Sequence, residues 1–144
     1  MEKAEWDELF ESLKRTRDVI SGWPAMPPDP SALRCEKSRH RTLAHMRACQ
    51  EQWLIAVNAF IAKEKANVAL LHPWRQFDQM NYAEVPWEDH LQTFLRDRET
   101  WLGFQDAVDW NRSGKWNRKD DSIGGLTSRL ANHEAYHVDL VRKL

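Results

Sequence analysis

Residues 126–140 read LTSRLANHEAYHVDL, and their apolar side chains recur at the spacing of a helix. Taking about 100° per residue, Leu126, Leu130, His133, Leu140, Val141 and Leu144 all fall within about 60° of His137. The stripe predicts a helix that begins after Asp121 or Ser122 and continues to Leu144. Both histidines lie on the face that the protein would bury, where uncompensated polar groups are costly.

Three further segments show helical periodicity, at residues 3–21, 38–65 and 86–110, and no strand alternation is evident between them. Four amphipathic helices in 144 residues predict an all-α four-helix bundle in a single domain spanning 1–144. About twenty residues without periodicity separate the second and third helices. A connection of that length suits a crossover between parallel helices, which favours up-down-down-up topology.

Composition argues against several classes of function. A net charge of -1 gives no broad field to attract nucleic acid or a membrane surface. No apolar run approaches the roughly 18 residues that a membrane span needs, and the N-terminus MEKAEWDELF does not resemble a signal peptide. Cys35 and Cys49 do not suggest a disulfide framework. We therefore expect a cytoplasmic protein with reduced thiols.

The two histidines of the last helix lie four residues apart, so both imidazoles can reach a single ion. HEAYH also matches the His-Glu-x-x-His pattern of zinc proteases, although hydrogen-bonded core histidines remain an alternative. A metal site needs a third ligand, and the second helix offers His45 near its start. His45 lies roughly 110° from the apolar stripe of that helix. Cys49 follows one turn later, either as a fourth ligand or as a small buried side chain.

Other polar residues near these stripes allow two interpretations. Glu134 would be a general base or a partner of a metal ligand, although a solvated helix charge is the commoner role. Arg98 and Gln105 interrupt the stripe of the third helix, where they would meet an anionic substrate or thiol, although an arginine that extends to solvent is favoured. The remaining histidines are expected on the surface or in loops: His40, His72 and His90.

TLAHMRACQEQWL (residues 42–54) and ANHEAYHVDLVRKL (residues 131–144) together resemble the DinB-like metal-binding four-helix bundles, also called the YfiT-type fold. The order and separation of these motifs agree across nearly the whole chain. In that family three histidines hold a divalent ion, usually zinc or nickel, and the bundle is up-down-down-up. The resemblance implies that His45, His133 and His137 are the metal ligands. The tryptophan-serine motif through which many members enter the second helix is absent from CEKSRHRTLAH (residues 35–45).

Three imidazoles and one open coordination position are typical of catalytic zinc. Characterised relatives of the resembling family include transferases and isomerases that use low-molecular-weight thiols such as bacillithiol or mycothiol. The leading hypothesis is therefore a metal-dependent thiol S-transferase acting on a small-molecule substrate, with the metal activating the thiol. The alternatives are a metal-dependent hydrolase with Glu134 as its base, and a non-enzymatic stress-response or metal-sensing bundle. A homodimer is compatible with each of them.

Overall fold

The computed structural model of the chain describes residues 1–32 and 37–144. The prediction about Cys35 falls outside these residues. The structure is mostly helical, with a small three-stranded sheet. Its elements are α1 (Lys3–Ser21), α2 (Arg39–Ala62), β1 (Ala66–Val68), α3 (Pro73–Gln79), a 3-10 helix (Tyr82–Glu84), α4 (Trp87–Leu102), β2 (Ser113–Trp116), β3 (Lys119–Ser122) and α5 (Ile123–Arg142).

The four long helices, α1, α2, α4 and α5, coincide with the four periodic segments. Two of them begin where a serine caps the first turn, since Ser38 accepts from the Arg41 amide at 3.2 Å and Ser122 from the Gly125 amide at 3.0 Å. The predicted end of the third helix at residue 110 is wrong, because α4 ends at Leu102. Gly103 follows the last helical residue. The carbonyl of Gln105 accepts from the indole of Trp6 at 2.8 Å, and this contact favours turns over a further helical turn.

Helices α1 and α2 each pack against both α4 and α5. The largest apolar cluster joins Trp6 and Phe10 of α1 to Trp101 of α4 and to Leu126 and Leu130 of α5. Among the described helices, none has both the length and the apolar character of a membrane-spanning segment. The amphipathic stripes therefore account for the packing of the helices, while the up-down-down-up order stays a prediction.

The sheet corrects the expectation that the chain has no strands. β1 runs parallel to β2, and β2 pairs antiparallel with β3. Asn117 and Arg118 form the two-residue connection of this hairpin, with φ of 50° and 68°. Both values lie in the left-handed region, as in the type I′ turns that suit the twist of a hairpin. Strands of three or four residues are too short to show alternation in the sequence.

The crossover between α2 and α4 is tied to α2 by side-chain amides. Gln52 accepts from the Leu71 amide and donates to Gln76, each at 2.8 Å. Gln76 also donates to Glu51 at 2.8 Å. Helix α3 begins with Pro73, and the preceding His72 side chain accepts from the Trp74 amide at 3.2 Å. These contacts fix the segment that carries Trp74 against the middle of α2.

Candidate metal centre

Side chains from α2 and α5 meet between the two helices. His45 and His133 approach each other with 3.1 Å between their Nε2 atoms. Cys49 follows His45 by one helical turn, and its Sγ lies 3.7 Å from Nε2 of His45 and 3.8 Å from Nε2 of His133. One ligand atom from each of the three residues lies within 4.8 Å of the others. This His45, Cys49, His133 group is therefore able to hold a metal ion.

The spacing of these atoms fits tetrahedral coordination. In a tetrahedral zinc site two nitrogens are roughly 3.3 Å apart, and a nitrogen and a sulfur are roughly 3.6 Å apart. The distances between the side chains of the group are 3.1 Å between the two nitrogens and 3.7 and 3.8 Å from sulfur to nitrogen. Each separation lies within about 0.2 Å of the tetrahedral value.

The third predicted histidine lies beside this group. The ring of His137 is buried, and its centroid is 4.4 Å from that of His133 and 4.9 Å from that of His45. The structure thus brings His45, His133 and His137 together, as the resemblance implied, and adds Cys49. The three-residue group does not include His137. Its role as a ligand stays a prediction.

Burial keeps the imidazoles of His45 and His133 neutral near pH 7. Burial, and then the charges that His133 and His137 would carry, lower the pKa of His45 to about 3. Burial and then His137 lower the pKa of His133 to about 4. A metal ion binds the neutral form of imidazole, so no proton has to leave these rings before an ion binds at neutral pH.

A pocket adjoins the group on the side of the crossover. The ring of Trp74 stacks on His45, with centroids 4.5 Å apart and an interplanar angle of 15°, and Trp53 contacts His133 edge-on at 5.3 Å. The pocket has a volume of about 340 Å³. Its lining residues are His45, Trp53, Leu70, Leu71, His72, Pro73, Trp74, Trp116, Asn117 and Lys119. A small molecule would therefore reach His45 from this pocket.

Glu134 and Arg98 are partners in the core, so two expectations were wrong. Both side chains have no exposed surface, and Arg98 donates to the carboxylate of Glu134. The guanidinium also donates to Gln50 and to the carbonyl of Leu13, each at 2.9 Å. Burial raises the pKa of Glu134, and the adjacent guanidinium opposes that rise. Arg98 does not extend to solvent, and Glu134 is neither a solvated charge nor part of the metal-binding group.

The angular positions of residues around α5 could have indicated that Glu134 pairs with Arg98. Glu134 lies about 60° to one side of His137, whereas His133 lies about 40° to the other side. The two residues therefore face different neighbours, and Glu134 turns toward the arginine that interrupts the stripe of α4. Gln105, expected on that same stripe, lies in the turns after α4 and donates to Asp7 at 3.1 Å.

His40 and His90 are buried, which corrects their expected surface positions. His40 Nε2 donates to the carbonyl of Val85 at 2.7 Å, and His90 Nε2 donates to the carbonyl of Tyr82 at 3.0 Å. Nδ1 of His90 accepts from Arg47 at 3.1 Å. Burial lowers the pKa of His90 to about 4. These two histidines bind the end of the crossover to the bundle. His72 is exposed, as expected.

Comparison of the chain with protein-family models, with curated proteins and with solved structures finds no match. The likeness to DinB-like proteins therefore rests on the two sequence motifs alone.

Proposed function

We propose that the protein binds a divalent transition-metal ion, zinc or nickel, between α2 and α5. The convergence of His45, Cys49 and His133 at distances close to those of a tetrahedral site is the observation that supports this most directly. Imidazole and thiolate ligands together favour zinc and nickel over magnesium or calcium, which prefer oxygen. The DinB-like resemblance leads to the same part of the chain by a separate route.

In this proposal the ion has His45, Cys49 and His133 as protein ligands, and a small molecule takes the fourth position. The resemblance to the DinB-like family instead implies His137 as the third ligand. Substitution of cobalt(II) distinguishes the two sets, because a thiolate ligand adds an intense charge-transfer band that imidazole lacks. We expect that band in the unchanged protein and its loss in Cys49→Ser. A cobalt spectrum that Cys49→Ser leaves unchanged and His137→Ala alters would favour the three-histidine set.

We further propose that the protein is a metal-dependent enzyme of the DinB-like type and that the metal centre is its active site. Its helices would follow up-down-down-up topology, and Cys49 would stay reduced in the cytoplasm. A bound ion would lower the pKa of a thiol or a water that reached it. The aromatic side chains around His45 would exclude bulk water and orient the reactants. In an S-transfer, the thiol sulfur forms a bond to an electrophilic carbon. The leaving group departs with its electron pair, and the thiol proton passes to solvent.

A non-enzymatic metal-binding bundle is the second candidate, and the number of candidate ligands favours it. If His137 bound together with His45, Cys49 and His133, the ion would be enclosed by protein, as in structural zinc sites. The stability of the metal-free protein separates the two. A His45→Ala variant that loses metal but remains folded supports the enzyme, whereas one that loses both supports a structural ion.

The hydrolase alternative has less support. Its proposed base was Glu134, and that carboxylate accepts from Arg98 in the core.

The test of the enzyme hypothesis is a screen of low-molecular-weight thiols with an electrophilic acceptor, using protein with and without metal. We expect turnover that requires both the metal and His133. Turnover that persists after metal removal would refute the S-transferase proposal.

A further inference from the structure

The walls of the pocket beside His45 are mostly aromatic. Trp53 comes from α2, Trp74 from α3 and Trp116 from β2, so three separate elements each bring an indole to the pocket. Trp53 and Trp74 are only partly buried, unlike Trp6 or Trp101 in the core. Flat aromatic surfaces of this kind favour a ligand with rings that can pack against them.

The charged groups on the pocket are all basic in the described part of the chain. No lining residue is acidic, Lys119 is positively charged, and burial keeps His45 neutral near pH 7. The nearby carboxylate of Asp121 accepts from the Trp116 indole at 2.9 Å and is not among the lining residues. Lys119 is exposed, with its Nζ 5.5 Å from the centre of the Trp116 ring. A negative group on the ligand would therefore be attracted to the rim at Lys119.

Hydrogen bonds hold the pocket in shape. The side-chain oxygen of Asn117 accepts from the Leu70 amide at 2.7 Å, and the backbone N–H of Asn117 donates to the Val68 carbonyl at 3.0 Å. The hairpin that carries Trp116 and Lys119 is thus joined to the crossover that carries Trp74. Binding to a preformed site costs less conformational entropy than binding to a site that must first be ordered.

We propose that this pocket binds a small aromatic anion, with its rings among Trp53, Trp74 and Trp116 and its negative group at Lys119. The inference rests on the proposed function, because it names the substrate class of the site that includes His45. The volume of about 340 Å³ lies at the lower end of small-molecule pockets and suits one or two fused rings. Such a molecule would be the acceptor or the product of the S-transfer.

The test is calorimetric titration with 2-naphthoate and with its neutral counterpart 2-naphthamide, first on metal-free protein and then on metal-loaded protein. Metal-free protein excludes direct binding of the carboxylate to an ion. We expect 2-naphthoate to bind about threefold to fivefold more tightly than the amide, as one exposed ion pair would provide. Lys119→Met should abolish this preference. The control Lys115→Met, on the same hairpin but outside the pocket lining, should retain it.

Trp74→Leu should weaken binding of the acid and the amide alike, by roughly twofold to tenfold. Equal affinity for acid and amide, no binding of either at millimolar concentration, or the same loss in Lys115→Met and Lys119→Met would overturn the inference. Circular dichroism checks each fold, and Lys119→Gln replaces Lys119→Met if that variant is not folded. Metal content, measured on the same samples, tests the proposed function separately. If the protein does not bind metal but still binds 2-naphthoate more tightly than 2-naphthamide, the metal centre is contradicted and the inference about the pocket is not.

Discussion

Glu134→Gln should destabilise the protein far more than loss of a surface charge. The substitution preserves the size of the side chain and one acceptor oxygen, so it creates no cavity. It leaves the guanidinium of Arg98 buried without a negative partner. Both side chains of the pair have no exposed surface. Breaking a buried ion pair on one side costs roughly 3–5 kcal/mol. That is a large part of the total stability of an ordinary domain, which is about 5–15 kcal/mol.

Urea denaturation of the metal-free protein measures this loss as the change in free energy of unfolding. Glu99→Gln is the matched control, because Glu99 also pairs with an arginine, Arg17, at 3.3 Å but is mostly exposed. We expect less than about 1 kcal/mol for the control. The Glu134→Gln variant should keep its metal content. A loss of stability below about 1 kcal/mol, or a loss of metal without a loss of stability, would refute the assignment of Glu134 to the core.

Three further predictions concern backbone geometry and pH. Arg118→Gly should raise the free energy of unfolding by about 0.5–1 kcal/mol in thermal or urea denaturation, because Arg118 has a φ of 68° that glycine adopts without strain; a decrease would contradict this. Gly114→Ala should lower it by about 1–3 kcal/mol, because a Cβ there would lie 2.6 Å from the Ala66 carbonyl oxygen; unchanged stability would argue against this close approach. His90 has its pKa lowered from 6.5 to about 4 in the folded state, so the unfolded chain binds its proton first. The contribution of neutral His90 to the free energy of unfolding is complete above pH 6.5 and decreases by about 3 kcal/mol toward pH 4. In the metal-free protein His90→Gln should remove this part of the acid-induced loss and leave the part due to His45 and His133.

The long helices are predictable from the sequence because burial imposes a period on their side chains. Trp6, Phe10 and Leu13 mark the buried face of α1 in this way, as Leu126 and Leu130 do in α5. Beyond Leu102 the apolar pattern continued, but Gly103 and the contact of Trp6 with a later carbonyl ended the helix. Periodicity records which face is buried. It does not show where a hydrogen bond from another helix interrupts the backbone hydrogen bonds of the helix.

The candidate site was predictable where spacing determines geometry. His133 and His137 share a face because they are four residues apart, and Cys49 follows His45 on the same face for the same reason. The angular count alone placed His45 away from the apolar stripe. Its burial depends on the crossover, whose Trp74 stacks on the ring.

The partners of the buried polar groups were not predictable one residue at a time. Arg98 and Glu134 were each expected in contact with solvent, because a single buried charge is costly, and their pairing across two helices compensates that cost in the core. His40 and His90 are buried by the segment around Tyr82 and Val85, which has no periodicity to mark it. The three-stranded sheet was missed because its strands are too short to alternate visibly.

Elemental analysis of protein purified without added metal tests the central claim most directly. Three proteins are compared: the unchanged chain, His133→Ala, and the control His72→Asn, in which asparagine keeps a capping group at the start of α3. We predict close to equimolar zinc or nickel in the unchanged chain and in His72→Asn, and loss of that metal in folded His133→Ala. An unchanged chain without bound metal that also fails to take up zinc or nickel, or a His133→Ala variant that retains its metal, would contradict the metal centre between α2 and α5.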